Sequence, residues 1–150
     1  MKANELMIGD WVIFGDEPLK VQHIYNNGYD DIVAEIVEDG TNEYGVYEEI
    51  KDVPVVYCSP IPLTPEILEK NGFERSVVIP SNFYRNIDNE RLIFSPHSSC
   101  YGLGYVHWDE SNDADIMHRL EVQQPIMYIH QMQHALRLFG LDQLADNFKL

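Results

Sequence analysis

Between residues 11 and 58 the chain is cut into short runs of β-type residues, 11–14, 19–25, 32–37, 44–50 and 53–58, separated by turn formers. The separators are Gly15-Asp16-Glu17-Pro18, Asn26-Asn27-Gly28 and Asp39-Gly40-Thr41-Asn42. Strands this short, recurring at intervals of about ten residues, cannot each bury a face alone and predict a small antiparallel barrel or sandwich. The expectation for residues 1–59 is an SH3-like antiparallel β-barrel. Within the second run Leu19, Val21, His23 and Tyr25 alternate with Lys20, Gln22 and Ile24, the pattern of a half-buried strand. His23 is expected to pack at the barrel edge.

The punctuation changes at Ser59-Pro60-Ile61-Pro62-Leu63, where the prolines enforce extended backbone and end the last strand. Thr64 then offers an N-cap oxygen, Pro65 suits the first helical position, Glu66 suits the positive end and Gly72 the stop. A helix of about two turns is predicted, anchored by Ile67, Leu68 and Phe73. Strands are expected again at 76–79, 91–94, 104–108 and 116–122, with polar loops at 86–90 and 109–113. Pro125 is expected to open a second helix reaching Phe139, with Gly140 as its stop and one more turn in 141–150. The predicted class is α+β, with a β-barrel-like unit over 1–59 and an α+β unit over 60–150.

Charge narrows the functions. Ten Lys and Arg face 25 Asp and Glu, a formal net charge of −15 over 150 residues. Residues 30–52 hold nine acids against Lys51 alone. Such a surface repels phosphate backbones, so direct nucleic-acid binding is disfavoured. The plain reading of that run is a solvated face. The functional reading is a surface for a basic protein, with Asp30, Asp31, Glu35, Glu38, Asp39, Glu43, Glu48 and Glu49 as the interaction residues. A sharper form makes the run an acidic DNA mimic that occupies the groove of a host DNA-binding protein.

Hydrophobic residues make up 45% of the chain, enough for a packed core. The longest apolar runs, such as 53–58, fall far short of the roughly 20 residues a spanning helix needs. Asn4, Glu5 and Asp10 interrupt the apolar stretch a secretory leader would require, so a cytoplasmic protein without a membrane partner is expected. Cys58 and Cys100 lie far apart and form no CxxC pair, which fits reduced thiols.

One stretch invites a chemical reading. His130 and His134 are four apart, a spacing helical metal sites use. On a helical projection Tyr128, Ile129, Met132, Ala135, Leu136 and Phe139 share one stripe. The two histidines fall opposite, with Gln133 and Arg137, which predicts hydrogen bonds to the neighbouring sheet or exposure to solvent. Where a zinc-peptidase helix has Glu after its first histidine, this chain has Gln131, which cannot take a proton. The third-ligand candidates, His107, His118, Asp109 and Asp115, show no recognisable spacing. No cofactor and no catalytic residue is assigned, and His130 and His134 are kept as candidate metal ligands.

Other constellations have plainer readings. Cys100 with His97 or His107 can be drawn as a thiol–imidazole pair, but sequence does not show the geometry that would make it one. Ser98-Ser99 and Gly102-Leu103-Gly104 read as a turn, and no phosphate-loop pattern surrounds the glycines. Asp109 and Glu110 read as a solvated loop. Tyr101, Tyr105 and Trp108 form either a packed aromatic group or an exposed binding surface.

Three stretches resemble a family of small uncharacterised proteins of Bacteroides-type gut bacteria and their prophages. They are Leu6-Met7-Ile8-Gly9-Asp10-Trp11-Val12, the joint and helix from Pro60 to Phe73, and Tyr128-Ile129-His130-Gln131-Met132-Gln133. The resemblance implies a phage-related setting and an α+β fold, and brings no activity or cofactor. The expected function is a non-enzymatic accessory protein that binds another protein. The alternative from a different class is a metal-dependent hydrolase built on His130 and His134.

Overall fold

The computed structural model describes the backbone at residues 1–26, 28, 32–42, 45–88, 90–97, 100–108 and 117–150. Side chains are described at 1–26, 28, 52–88, 90–96, 100–104 and 125–150. The chain divides into two compact units: Met1–Pro62 with Tyr128–His134, and Leu63–Met127 with Ala135–Leu150. Antiparallel sheets and three short α-helices among the described residues make the fold α+β, as the sequence predicts.

The first unit is built on β1 (Trp11–Phe14), β2 (Glu17–Asn26), β3 (Ile32–Asn42), β4 (Gly45–Pro54) and β5 (Cys58–Pro60). All neighbours are antiparallel, in the order β4-β3-β2-β1-β5. One 3-10 turn, Val55–Tyr57, carries the chain from β4 to β5, which pairs with β1. β4 and β5 are the sheet's two edges and do not pair with each other among the described residues, so the sheet is open where a closed barrel was expected. Val12, Leu19, Val21, Val53, Val55 and Cys58 pack with Leu6 as its apolar core.

The alternation expected along β2 holds only as far as Val21. A register shift between Val21 and His23 inserts a residue, and Ile24 instead of His23 packs against the core. A bulge of this kind exchanges the faces of every following side chain. His23 and Tyr25 are accordingly exposed.

The second unit opens with α1 (Pro65–Lys70), as predicted. Thr64 Oγ1 accepts the Ile67 N–H, and Gly72 at φ +74° ends the helix. The Gly72 N–H reaches the Glu69 carbonyl and the Phe73 N–H the Leu68 carbonyl, which together form a Schellman cap. Five strands follow as an antiparallel meander: β6 (Glu74–Arg75), β7 (Phe83–Ile87), β8 (Glu90–His97), β9 (Cys100–Trp108) and β10 (Met117–Ile126). Phe73, Phe83, Leu92, Phe94 and Leu103 are buried, and Phe94 meets Phe73 and Tyr101 edge to face.

Three expectations are corrected in this unit. Residues 86–90 are not a loop: Ile87 pairs with Glu90 at the end of a hairpin, with Asp88 at φ 49°. Gly102-Leu103-Gly104 lies inside β9, because Leu103 is buried opposite Phe94. Pro125 belongs to β10, next to the irregularity between Val122 and Ile126 on an edge strand, where a missing N–H breaks no ladder.

Helix α2 therefore starts later than predicted, at Ile129, and runs to Leu138. Gln131 Oε1 accepts the Tyr128 N–H, the reciprocal half of a capping box. Gly140 at φ +74° ends the helix, and α3 (Asp142–Asp146) supplies the expected further turn.

Candidate functional site

The His130–His134 segment stands against the turn that leads into β1. That turn is fixed by its own backbone: the Gly9 N–H donates to the Val21 carbonyl and the Val21 N–H to the Asp10 carbonyl. Gln133 completes it. Its Oε1 accepts the Trp11 N–H at 3.0 Å and its Nε2 donates to the Gly9 carbonyl at 2.9 Å. One amide side chain thus meets one donor and one acceptor of the chain, as a neighbouring strand would.

Between those two contacts sits Asp10, 0% exposed. Its Oδ2 accepts the Met7 N–H at 2.7 Å and lies 2.7 Å from His134 Nε2. The same carboxylate oxygen thus meets a backbone donor and an imidazole nitrogen. A buried carboxylate needs such donors to offset the hydration it has lost.

The helix face predicted as polar is therefore largely buried. Gln133 is 0% exposed and His130 5%, while His134 stays half-buried. His134 hydrogen-bonds Asp10 in the turn before β1, while the contact to the sheet itself is made by Gln133, through the Trp11 N–H. His130 stacks on Tyr128 with ring centroids 5.8 Å apart, and its Nδ1 is buried without a hydrogen-bond partner among the described residues. Burial holds its imidazole below the usual histidine range, with the Asp10 charge opposing and His134 reinforcing the effect. As metal ligands the pair is incomplete: His134 Nε2 is committed to Asp10, and no group of three His, Cys, Asp or Glu converges among the described residues.

A feature of another kind lies at residues 76–80. The expected strand at 76–79 is a bonded loop instead. Ser76 Oγ accepts the N–H groups of Val78 and Ile79, Ser76 N–H donates to the Asn82 carbonyl, and Asn82 N–H donates to the Ile79 carbonyl. With two of its N–H groups taken by a serine hydroxyl, the segment lacks the donors for a regular ladder. The loop presents Val77, Val78 and Ile79 at 94%, 83% and 51% exposure.

The remaining candidates divide by what is described. Asp30, Asp31 and Glu43 lie outside the described residues. The side chains of Glu35, Glu38, Asp39, Glu48 and Glu49 do as well, but backbone register sets Glu38 opposite Glu49 and Asp39 opposite Glu48. Asp109, Glu110 and Asp115 fall outside, as do the side chains of His97, His107, His118, Tyr105 and Trp108. Tyr101 is half-buried against Phe94, so of the aromatic trio it follows the packing reading. Cys58 is buried and Cys100 half-buried, both free, and burial raises the Cys58 thiol. The apolar loop escaped sequence reading because three β-branched or apolar residues in a row look like a strand. Ser76 before them and Pro80 after them were the available signal.

No helix among the described residues is long and apolar enough to cross a membrane. Comparison with known protein families, curated proteins and solved structures finds no match to this chain.

Proposed function

We propose that this chain is a phage-related accessory protein that acts by binding another protein, not by catalysis. The observation that carries the reading is the 76–80 loop. Three consecutive apolar side chains held in water by a bonded turn are unfavourable unless something covers them. Burying a valine fully is worth about 1.5–3 kcal/mol, so Val77 and Val78 alone can anchor a modest interface. The partner chemistry is an apolar groove on a protein surface. An SH3-like barrel reading of the first unit is supported by the return of β5 to β1 after one 3-10 turn and by the bulge in β2.

A second reading has its own support. The like-charged pairs Glu38–Glu49 and Asp39–Glu48 of the β3–β4 ladder gather acid on two paired strands, which supports a dock for a basic, DNA-binding protein.

Capture from a Bacteroides-type lysate at low and high salt separates the readings. A partner that survives high salt and is lost with Val78→Asp supports the apolar loop. A basic, DNA-binding partner that is lost at high salt and indifferent to Val78→Asp supports the acidic hairpin. No partner at either salt counts against both.

A further inference from the structure

Away from the 76–80 loop, the second unit holds an open cleft of about 800 Å³ between the end of α1, β7 and α3. That volume is in the range of small-molecule sites. Its lining is unusual for so acidic a chain: Lys70, Arg85 and Lys149, three of the ten basic residues, face it together with one acid, Asp142. Ile87, Leu141 and Leu144 supply apolar wall.

Arg85 is the telling member. It is half-buried, its guanidinium donates to the Asn71 carbonyl and lies 5.9 Å over the Phe73 ring, and no carboxylate pairs with it among the described residues. Gly72 lies beside that guanidinium: a Cβ built on it would stand 3.6 Å from Arg85 Cζ, an ordinary contact distance. Among the described residues Lys149 has no side-chain partner, and Lys70 donates to the Leu150 backbone oxygen at 2.9 Å. Desolvating a guanidinium without an anion is unfavourable, and it lowers the tendency of Arg85 to hold its proton. A half-buried arginine that meets a carbonyl and a ring but no carboxylate among the described residues points to an anion supplied from outside.

We propose that this cleft binds a small phosphomonoester, with the phosphate on Arg85 and Lys149 and the organic part against Leu141 and Leu144. The cleft carries a net positive charge, and with Lys70 already bonded to the Leu150 oxygen it is Arg85 and Lys149 that are left to meet the roughly −1.5 to −2 of a phosphomonoester at neutral pH. The planar guanidinium takes two phosphate oxygens at once, and the lysine acts as a point charge.

The test is an amide NMR titration of the full chain with phenyl phosphate, with benzoate as the monoanionic comparison. Saturable shifts at Gly72, Leu141 and Lys149 are expected, with phenyl phosphate binding more tightly than benzoate. Arg85→Met should weaken binding about tenfold or more, the consequence of losing a charge-assisted contact. Lys149→Ala, at an exposed side chain, should weaken it about threefold with the fold unchanged, and decides the matter if Arg85→Met does not fold. Lys20→Met, on β2, should change nothing. Shifts that fail to saturate, that lie outside the cleft, or that ignore both variants overturn the site. Equal binding of benzoate overturns the phosphate assignment.

Discussion

Replacing Gln133 with leucine isolates what a single buried amide does for the first unit. Leucine keeps most of the volume and the helix propensity, so the change is chiefly polar. It leaves the Trp11 N–H and the Gly9 carbonyl without their partners at 3.0 and 2.9 Å. An orphaned buried group costs about 1–3 kcal/mol. Gly9 and Trp11 are half-buried, so water can return to them in part and the lower end applies to each. The expected loss is about 2–3 kcal/mol for the pair. With a urea slope of about 1–2 kcal/mol per molar, the unfolding midpoint should fall by about 1–3 M. Tryptophan fluorescence is a fitting probe, since Trp11 sits at the broken contact. A Gln133→Leu protein within about 0.5 kcal/mol of the parent would refute the view that this amide completes the turn.

Three further outcomes follow from particular contacts. His130 is held neutral by burial, so its folded pKa lies below the unfolded value of about 6.5. The unfolded chain then binds more protons, and stability should be complete above that pH and decline as pH falls below it. His130→Phe should reduce this decline in urea titrations between neutral pH and the acid range, and an unchanged slope would count against the buried imidazole. Gly72→Ala and Gly15→Ala both force a left-handed alanine, at φ +74° and +63°, and each should cost about 1 kcal/mol. A much larger cost at Gly72 than at Gly15 would refute the view that the left-handed backbone alone sets the penalty, since a Cβ there meets Arg85 only at an ordinary 3.6 Å. Asn71→Ala removes two bonds from its Nδ2, to the Ile67 and Lys149 carbonyls, and one from the Lys149 N–H to its Oδ1. It should destabilise the second unit by about 2–3 kcal/mol and speed amide exchange at Lys149; unchanged exchange there would show that the tail is held by other contacts.

What the sequence made legible were the features written locally. Thr64, Pro65 and Gly72 specify α1 because a cap oxygen, a fixed φ and a left-handed stop all act within one turn. Leu19 and Val21 are buried as their alternation predicts, but nothing in the one-letter code announces the bulge that turns His23 outward and Ile24 inward. Pro125 carries the same chemistry at a helix start and on an edge strand, and only the neighbouring β9 decides between them. The largest revision concerns α2. A helical projection separates apolar from polar residues, but it does not know that Gln133, Asp10 and His134 have each other and a strand entrance to bond with. A polar side with partners can be as buried as the apolar one.

The Gln133 contact spans 122 positions to Trp11 and 124 to Gly9. This separation gives the first unit a calendar. During synthesis its five strands leave the ribosome roughly 70 residues before the helical turn that finishes it, and at roughly 5–20 residues per second that is a delay of roughly 4–14 s. Throughout that interval Asp10 has no His134 and the entrance to β1 is open to water. A nascent chain halted after β5 is therefore an unfinished unit, and a helix translated much later closes the fold that β1 began.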